Sequence, residues 1–267
     1  IIGDEFKNKD SYSYNIPKNL NRLVIGGRYS GVWSSGNINP NGVTVESATI
    51  NMTANTVLRG ELNAGGLAIG ETVFNPTTGT LTLKGGNFAS HVTTATIDIK
   101  GGELYSKPEN LVEAGHTRIR AGGVSHNNAI VSVDTSTINI KGNAGKADNP
   151  SKPYLPYTII SSGGSHGGYY AGTINPAVNE NSIPTVNSST KVGYYYDESD
   201  QKVWYNTTKE SKINIEKMAY RKNILEAGEY NEKETSWLGS TIFAGGDNAW
   251  VGESTIDIKD SSVGTVF

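Results

Sequence analysis

Apolar and polar residues alternate in one short phrase that recurs along the chain: Thr80-Leu-Thr-Leu-Lys84, Thr96-Ile-Asp-Ile-Lys100, Thr137-Ile-Asn-Ile-Lys141 and Thr255-Ile-Asp-Ile-Lys259. Weaker copies stand at Thr49-Ile-Asn-Met-Thr53 and Lys212-Ile-Asn-Ile-Glu216. Successive side chains of a strand point to opposite faces, so each copy sends Ile, Leu or Met one way and Thr, Asp or Asn the other. So short a strand cannot bury an apolar face alone, and its recurrence predicts units that stack and share a core. From Thr49 the phrase returns after 31, 16 and 41 residues, and Lys212 to Thr255 spans 43. These intervals suggest a unit of 16 to 21 residues, about one turn of a β-solenoid with irregular loops.

Further β runs lie between the phrases at Leu23-Val-Ile25, Val43-Thr-Val45, Thr117-Arg-Ile119, Ile130-Val-Ser-Val133 and Thr241-Ile-Phe243. Gly-Gly pairs begin at positions 26, 65, 85, 101, 122, 163 and 245, where glycine can supply positive φ at the corners of a coil. The expected organisation is therefore all-β, with solenoid coils over 1–147, an irregular segment over 148–239 and resumed coils over 240–267.

The middle segment reads differently. It holds Pro150, Pro153, Pro156, Pro176 and Pro184, and ten of the chain's 14 tyrosines. Gly193 to Tyr205 has two aromatic runs around Asp197-Glu-Ser-Asp200, the signature of a β-hairpin. Ile215 to Ala227 predicts a short helix, with Ile215, Met218, Lys222 and Leu225 on one stripe and Gly228 as its stop. Long excursions from a repetitive scaffold are where binding surfaces concentrate.

Composition sharpens this picture. Glycine is about twice its usual share at 32 of 267 residues, 27 residues are Asn, and only 18% are charged. The net charge of -3 gives no general attraction to nucleic acid or anionic membrane. Cysteine is absent, which leaves the compartment open for a fold held by stacked strands. No apolar run approaches the length of a membrane-spanning helix. The chain starts at Ile1-Ile2 without Met and stops at Val266-Phe267 without a polar cap, so it is expected to be part of a longer polypeptide.

Ser240-Thr-Ile-Phe-Ala-Gly-Gly-Asp-Asn-Ala-Trp250, Glu253-Ser-Thr-Ile-Asp-Ile-Lys259 and Val263-Gly-Thr-Val-Phe267 resemble repeats of large bacterial surface proteins. They are similar to the passengers of autotransporter (type V secreted) adhesins, especially the long passengers of Gram-negative oral anaerobes. The resemblance covers 22–146 and 240–267 in scattered phrases and leaves out the Tyr-rich middle. It implies a right-handed parallel β-helix, secreted or displayed at the cell surface. It also implies anchoring in the outer membrane through a β-barrel that these residues do not include.

Parallel β-helices also carry polysaccharide lyases and glycoside hydrolases, which need two or three carboxylates converging on one groove. Asp98 and Asp257 occupy phrase positions where Asn139 and Asn214 also occur, and the interchange points to an outward polar ladder. Lys84, Lys100, Lys141 and Lys259 form a second recurring column, expected at a solvated strand edge. Asp197-Glu-Ser-Asp200 lacks the spacing and central glycine of a calcium loop. His91, His116, His126 and His166 share no metal-ligand spacing, and His166 falls in what reads as a flexible glycine loop. No metal, cofactor or catalytic set is expected.

Tyr and Trp offer rigid amphipathic faces that stack on sugars or anchor protein contacts. Tyr169, Tyr170, Tyr194, Tyr195, Tyr196, Trp204 and Tyr205 are the candidate ligand-binding residues. One aromatic face of the hairpin is expected on the scaffold and the other free for ligand. The leading expectation is a non-enzymatic adhesin whose partner is a glycan or protein on host or neighbouring bacterial cells, with no nucleic acid. A β-helix lyase or glycosidase and a structural coat spacer are the alternatives.

Overall fold

The structure is a computed structural model of the chain. It describes residues 10–16, 19–26, 28–30, 43–53, 56–69, 71–75, 77, 80–84, 89–104, 117–126, 129–141, 158–167, 195–197, 202–204, 206–217, 241–246, 249–261, 263 and 265–267. All regular structure among them is β, and no described helix could cross a membrane.

The chain visits three parallel sheets, A, B and C, in rotation. The first circuit lays β1 (Asp10–Asn15) in A, β2 (Asn19–Val24) in B and β3 (Arg28–Ser30) in C. The second repeats this with β4 (Val43–Met52), β5 (Val57–Asn63) and β6 (Leu67–Ile69), then adds the antiparallel hairpin β7 (Glu71–Asn75) and β8 (Thr80–Lys84). The third uses β9 (Ala89–Ile99), then β10 (Glu103–Leu104) and β11 (Thr117–Arg120), which both pair with β5, and β12 (Val124–His126). The fourth uses β13 (Ile130–Lys141), β14 (Thr158–Ser161) and β15 (Ser165–Gly167), followed by the hairpin β16 (Tyr195–Asp197) and β17 (Lys202–Trp204). The fifth lays β18 (Asn206–Glu216) in A and β19 (Thr241–Phe243) in B, and the sixth β20 (Trp250–Lys259) in A and β21 (Thr265–Val266) in B, with no strand of C from either among the described residues.

Register makes the columns literal. Ile50, Ile97, Ile138, Ile213 and Ile256 align in sheet A, as do Met52, Ile99, Ile140, Ile215 and Ile258. They meet Leu23, Leu62, Ile119, Ile160 and Ile242 of sheet B in one core. Burying each such side chain contributes roughly 1.5 to 3 kcal/mol. Where Ala48 and Ala95 line sheet A, the later circuits place Ser136, Ser211 and Ser254. Their hydroxyls reach across the core to backbone carbonyls: Ser136 Oγ donates to Ser162 O at 2.7 Å and Ser211 Oγ to Ala244 O at 3.0 Å.

The Gly-Gly pairs at 65, 122 and 163 lie at the bend from B to C. Asn63 shapes one such bend, its Oδ1 accepting from Gly65 N and its Nδ2 donating to Gly66 O, both at 3.0 Å. Gly66, Gly123 and Gly164 have φ of 86°, 81° and 80°. Circuits stack here backbone on backbone, so a Cβ at Gly122 would overlap the chain at Ser162, Gly163 and Gly164.

Four expectations need correction. One circuit is not 16 to 21 residues: Ile50, Ile97, Ile138, Ile213 and Ile256 are spaced by 47, 41, 75 and 43. The Thr80 phrase is a strand outside the stack, because β8 pairs antiparallel with β7, and Lys84 therefore leaves the lysine column. The interval of 16 between Thr80 and Thr96 that set the short unit is thus a hairpin-to-sheet distance. Ile215 and Glu216 end β18 and Lys217 turns left-handed at φ 58°, so no helix starts at Ile215; residues 218–227 lie outside the described set. His166 sits in β15, paired with Ser125, rather than in a glycine loop. Within 148–239, β14, β15 and β18 continue all three sheets, so this stretch holds scaffold as well as excursions.

Candidate functional site

On the outer face of sheet A the phrase polar residues form a ladder. Asn139 Nδ2 donates to Asp98 Oδ1 and Asn214 Nδ2 to Asn139 Oδ1, each at 2.6 Å, and Asp257 follows Asn214 in register. Asp98 and Asp257 thus stand on separate rungs of one column. The lysines flank it: Lys100, Lys141 and Lys259 are exposed and lie 4.0, 3.9 and 2.8 Å from Asp98, Glu216 and Asp257. The side-chain hydrogen bond with Asp257 raises the Lys259 ammonium above the ordinary lysine value.

The chemistry concentrates instead at the corner where sheet C hands over to sheet A. Val131 and Val133 point into the core, so Ser132 between them belongs to the outer face. Yet Ser132 is only 6% exposed and its register partner His91 is 0% exposed. His91 Nδ1 lies 2.7 Å from Ser132 Oγ, and His91 Nε2 lies 3.5 Å from Asp134 Oδ2. Asp134 Oδ1 in turn holds Lys209 Nζ at 2.6 Å. This chain of side chains links the third, fourth and fifth circuits. Its Ser, His and Asp are the residue types of acyl transfer, but a nucleophile must reach substrate. A hydroxyl so buried acts as a clamp between circuits.

Sequence reasoning takes His91 only as one of four histidines without metal-ligand spacing, and passes over Ser132, Asp134 and Lys209. The signal was there: His91 precedes Thr96, and Ser132 precedes Thr137, by the same five positions, so aligning the phrases puts them in one column.

Both hairpins root at this corner. Ile69, His126 and Gly167 share one register column of sheet C, and Ser90, Val131 and Asn206 share one of sheet A. Between these stations the second circuit inserts β7–β8 and the fourth inserts β16–β17. The third crosses directly, with Ala129 N donating to His126 O at 3.1 Å. Asn206 is fully buried and fixes the foot of β17, its Nδ2 donating to Ser165 O at 2.9 Å and Gly123 O at 3.4 Å.

The expected hairpin is present. Its ladder sets Tyr195 opposite Trp204, Tyr196 opposite Val203 and Asp197 opposite Lys202. Tyr169, Tyr170, Tyr194 and Tyr205 lie outside the described residues, as does the packing of either hairpin face. Among the described residues no group of three or more His, Cys, Asp or Glu could hold a metal ion. Set beside known proteins, the chain matches no family model, no curated protein and no solved structure.

Proposed function

We propose that the chain is a non-enzymatic, surface-displayed adhesin segment: a right-handed parallel β-helix that holds binding hairpins away from the cell. The observation that carries this reading is the rooting of an aromatic hairpin in a rigid stack. β17 runs through one residue into Asn206, which is buried and doubly hydrogen-bonded, so the hairpin is held at its base by the scaffold. Rigid presentation of aromatic side chains lowers the entropy cost of binding. Polar ladders and lysine edges suit the exposed flank of such a stalk. The partner is a glycan or protein on host or neighbouring bacterial cells, no cofactor takes part, and attachment to the outer membrane runs through a part of the parent protein outside these residues.

The test exchanges residues 168–205 for Asn-Asn-Ala-Ile, the segment that joins His126 to Val131 in the third circuit. The exchanged protein should keep its β circular-dichroism spectrum and lose at least tenfold in adherence to cultured epithelial cells and to co-aggregating bacteria. Equal adherence of both proteins would retire the adhesin reading.

A further inference from the structure

Sheet A is built on different cores toward its two ends. β4 and β18 are each the second strand from an end of the described sheet. β4 fills its inward stations with Val45, Ala48, Ile50 and Met52, all fully buried. β18 fills the same stations with Thr208, Ser211, Ile213 and Ile215, and the buried Asn206 precedes them. Thr208 stands in a column whose other members are Val45, Val92, Val133 and Val251. A buried hydroxyl in place of a methyl gives up apolar burial, and the loss is larger where the hydroxyl makes no hydrogen bond. Among the described residues Thr208 Oγ1 and Asn206 Oδ1 are buried without a hydrogen-bond partner, as are Thr158 Oγ1 and Ser162 Oγ of the adjoining fourth circuit. Ser211 does better, since its Oγ donates to Ala244 O at 3.0 Å.

We infer that the fifth circuit is a seam built into the stack: it opens ahead of the first four circuits and takes the sixth with it. β18 and β19 pair with the fourth circuit in sheets A and B, and no strand of C from the fifth is among the described residues. On the other side β20 pairs with β18 and β21 with β19, so the described strands of the sixth circuit are held by the fifth. Where units touch only their neighbours, the circuit with the least apolar burial yields first and whatever lies beyond it follows. The opening reaches the aromatic hairpin as well. Asn206, the foot of β17, is held by the carbonyls of Ser165 and Gly123, and both bonds break when β18 leaves. The hairpin therefore has a held state and a released one.

Native-state hydrogen exchange on the full chain, read by mass spectrometry over peptides that cover β4, β18 and β20, tests this. β18 should exchange about tenfold faster than β4 or more, and β20 no more slowly than β18. Thr208→Val, which copies the rest of its column, should slow β18 about threefold or more and leave β4 unchanged. Val45→Thr should carry the weakness to the other end, speeding exchange in β4 and not in β18. If Val45→Thr does not fold, the Thr208→Val comparison decides alone. Equal protection of β4 and β18 in the parent would overturn the seam, and so would a β20 that outlasts β18. A Thr208→Val protein whose β18 exchanges at the parent rate or faster would overturn it too, because the hydroxyl would then be hydrogen-bonded inside the stack.

Discussion

Two copies of one phrase, at Thr80 and Thr96, end in different structures. Thr80–Lys84 pairs antiparallel with Glu71–Asn75, its neighbour in sequence. Thr96–Ile99 lies between Thr49–Met52 and Thr137–Ile140, circuits away on either side. Alternation makes both of them strands with two unlike faces. It does not choose the partner. Asn75-Pro-Thr-Thr-Gly79 supplies turn residues between two alternating runs, so β8 closes locally on β7. β9 is 11 residues long against five for β8, and the longer strand registers along its length with β4 and β13.

The contrast can be broken or sharpened by mutation. Gly122→Val strikes only the stack, because its side chain must displace the backbone of the next circuit at Gly163 and Gly164. It should cost roughly 3 kcal/mol or more, measured as a fall in urea midpoint or as loss of soluble protein. A wild-type midpoint would mean that the circuits are not in backbone contact at this bend.

Equivalent positions of the two phrases should differ next. Ile97 is fully buried, and Ile97→Ala should cost about 2 to 5 kcal/mol. Leu83→Ala, in a two-stranded hairpin, should cost less than about 1 kcal/mol. Equal losses in denaturant titration would put β8 in the core and contradict the comparison.

The outer ladder is a smaller contribution. Asn139→Ala removes a donor to Asp98 and an acceptor from Asn214, and should cost about 1 to 2 kcal/mol. A change within error in thermal melts would mean that water replaces both bonds.

The smallest effect belongs to the exposed end of that column. The Lys259 ammonium is raised by its hydrogen bond to Asp257. A group raised on folding contributes below its unfolded value, near pH 10.4 for lysine, and the contribution fades as pH rises through the folded value. Asp257→Asn should return Lys259 to the ordinary range in an NMR titration, and any stability difference from the parent should vanish at strongly alkaline pH. An unmoved titration would deny the pair.

The candidate site was only partly legible. Aromatic alternation from Gly193 to Tyr205 was enough to place the hairpin, since a hairpin is closed by its own turn. Its anchor was not visible, because Asn206 is fixed by carbonyls of Ser165 and Gly123, remote in sequence. The His91–Ser132–Asp134–Lys209 chain draws on three strands remote in sequence, and it shows only once the phrases are aligned in register.

The sequence by itself determined that the chain forms strands, which residues of each strand share a face, and where glycine lets the backbone bend. These are local properties of a period-two pattern and of φ, and they hold whatever the neighbours are. Tertiary structure alone decided that circuits span 47, 41, 75 and 43 residues, that one phrase leaves the stack, and that two hairpins share a corner. The reason is that loop-closure cost grows only with the logarithm of length. A strand 75 residues away costs little more to recruit than one 41 away, so the better-packed partner wins and sequence spacing does not name it.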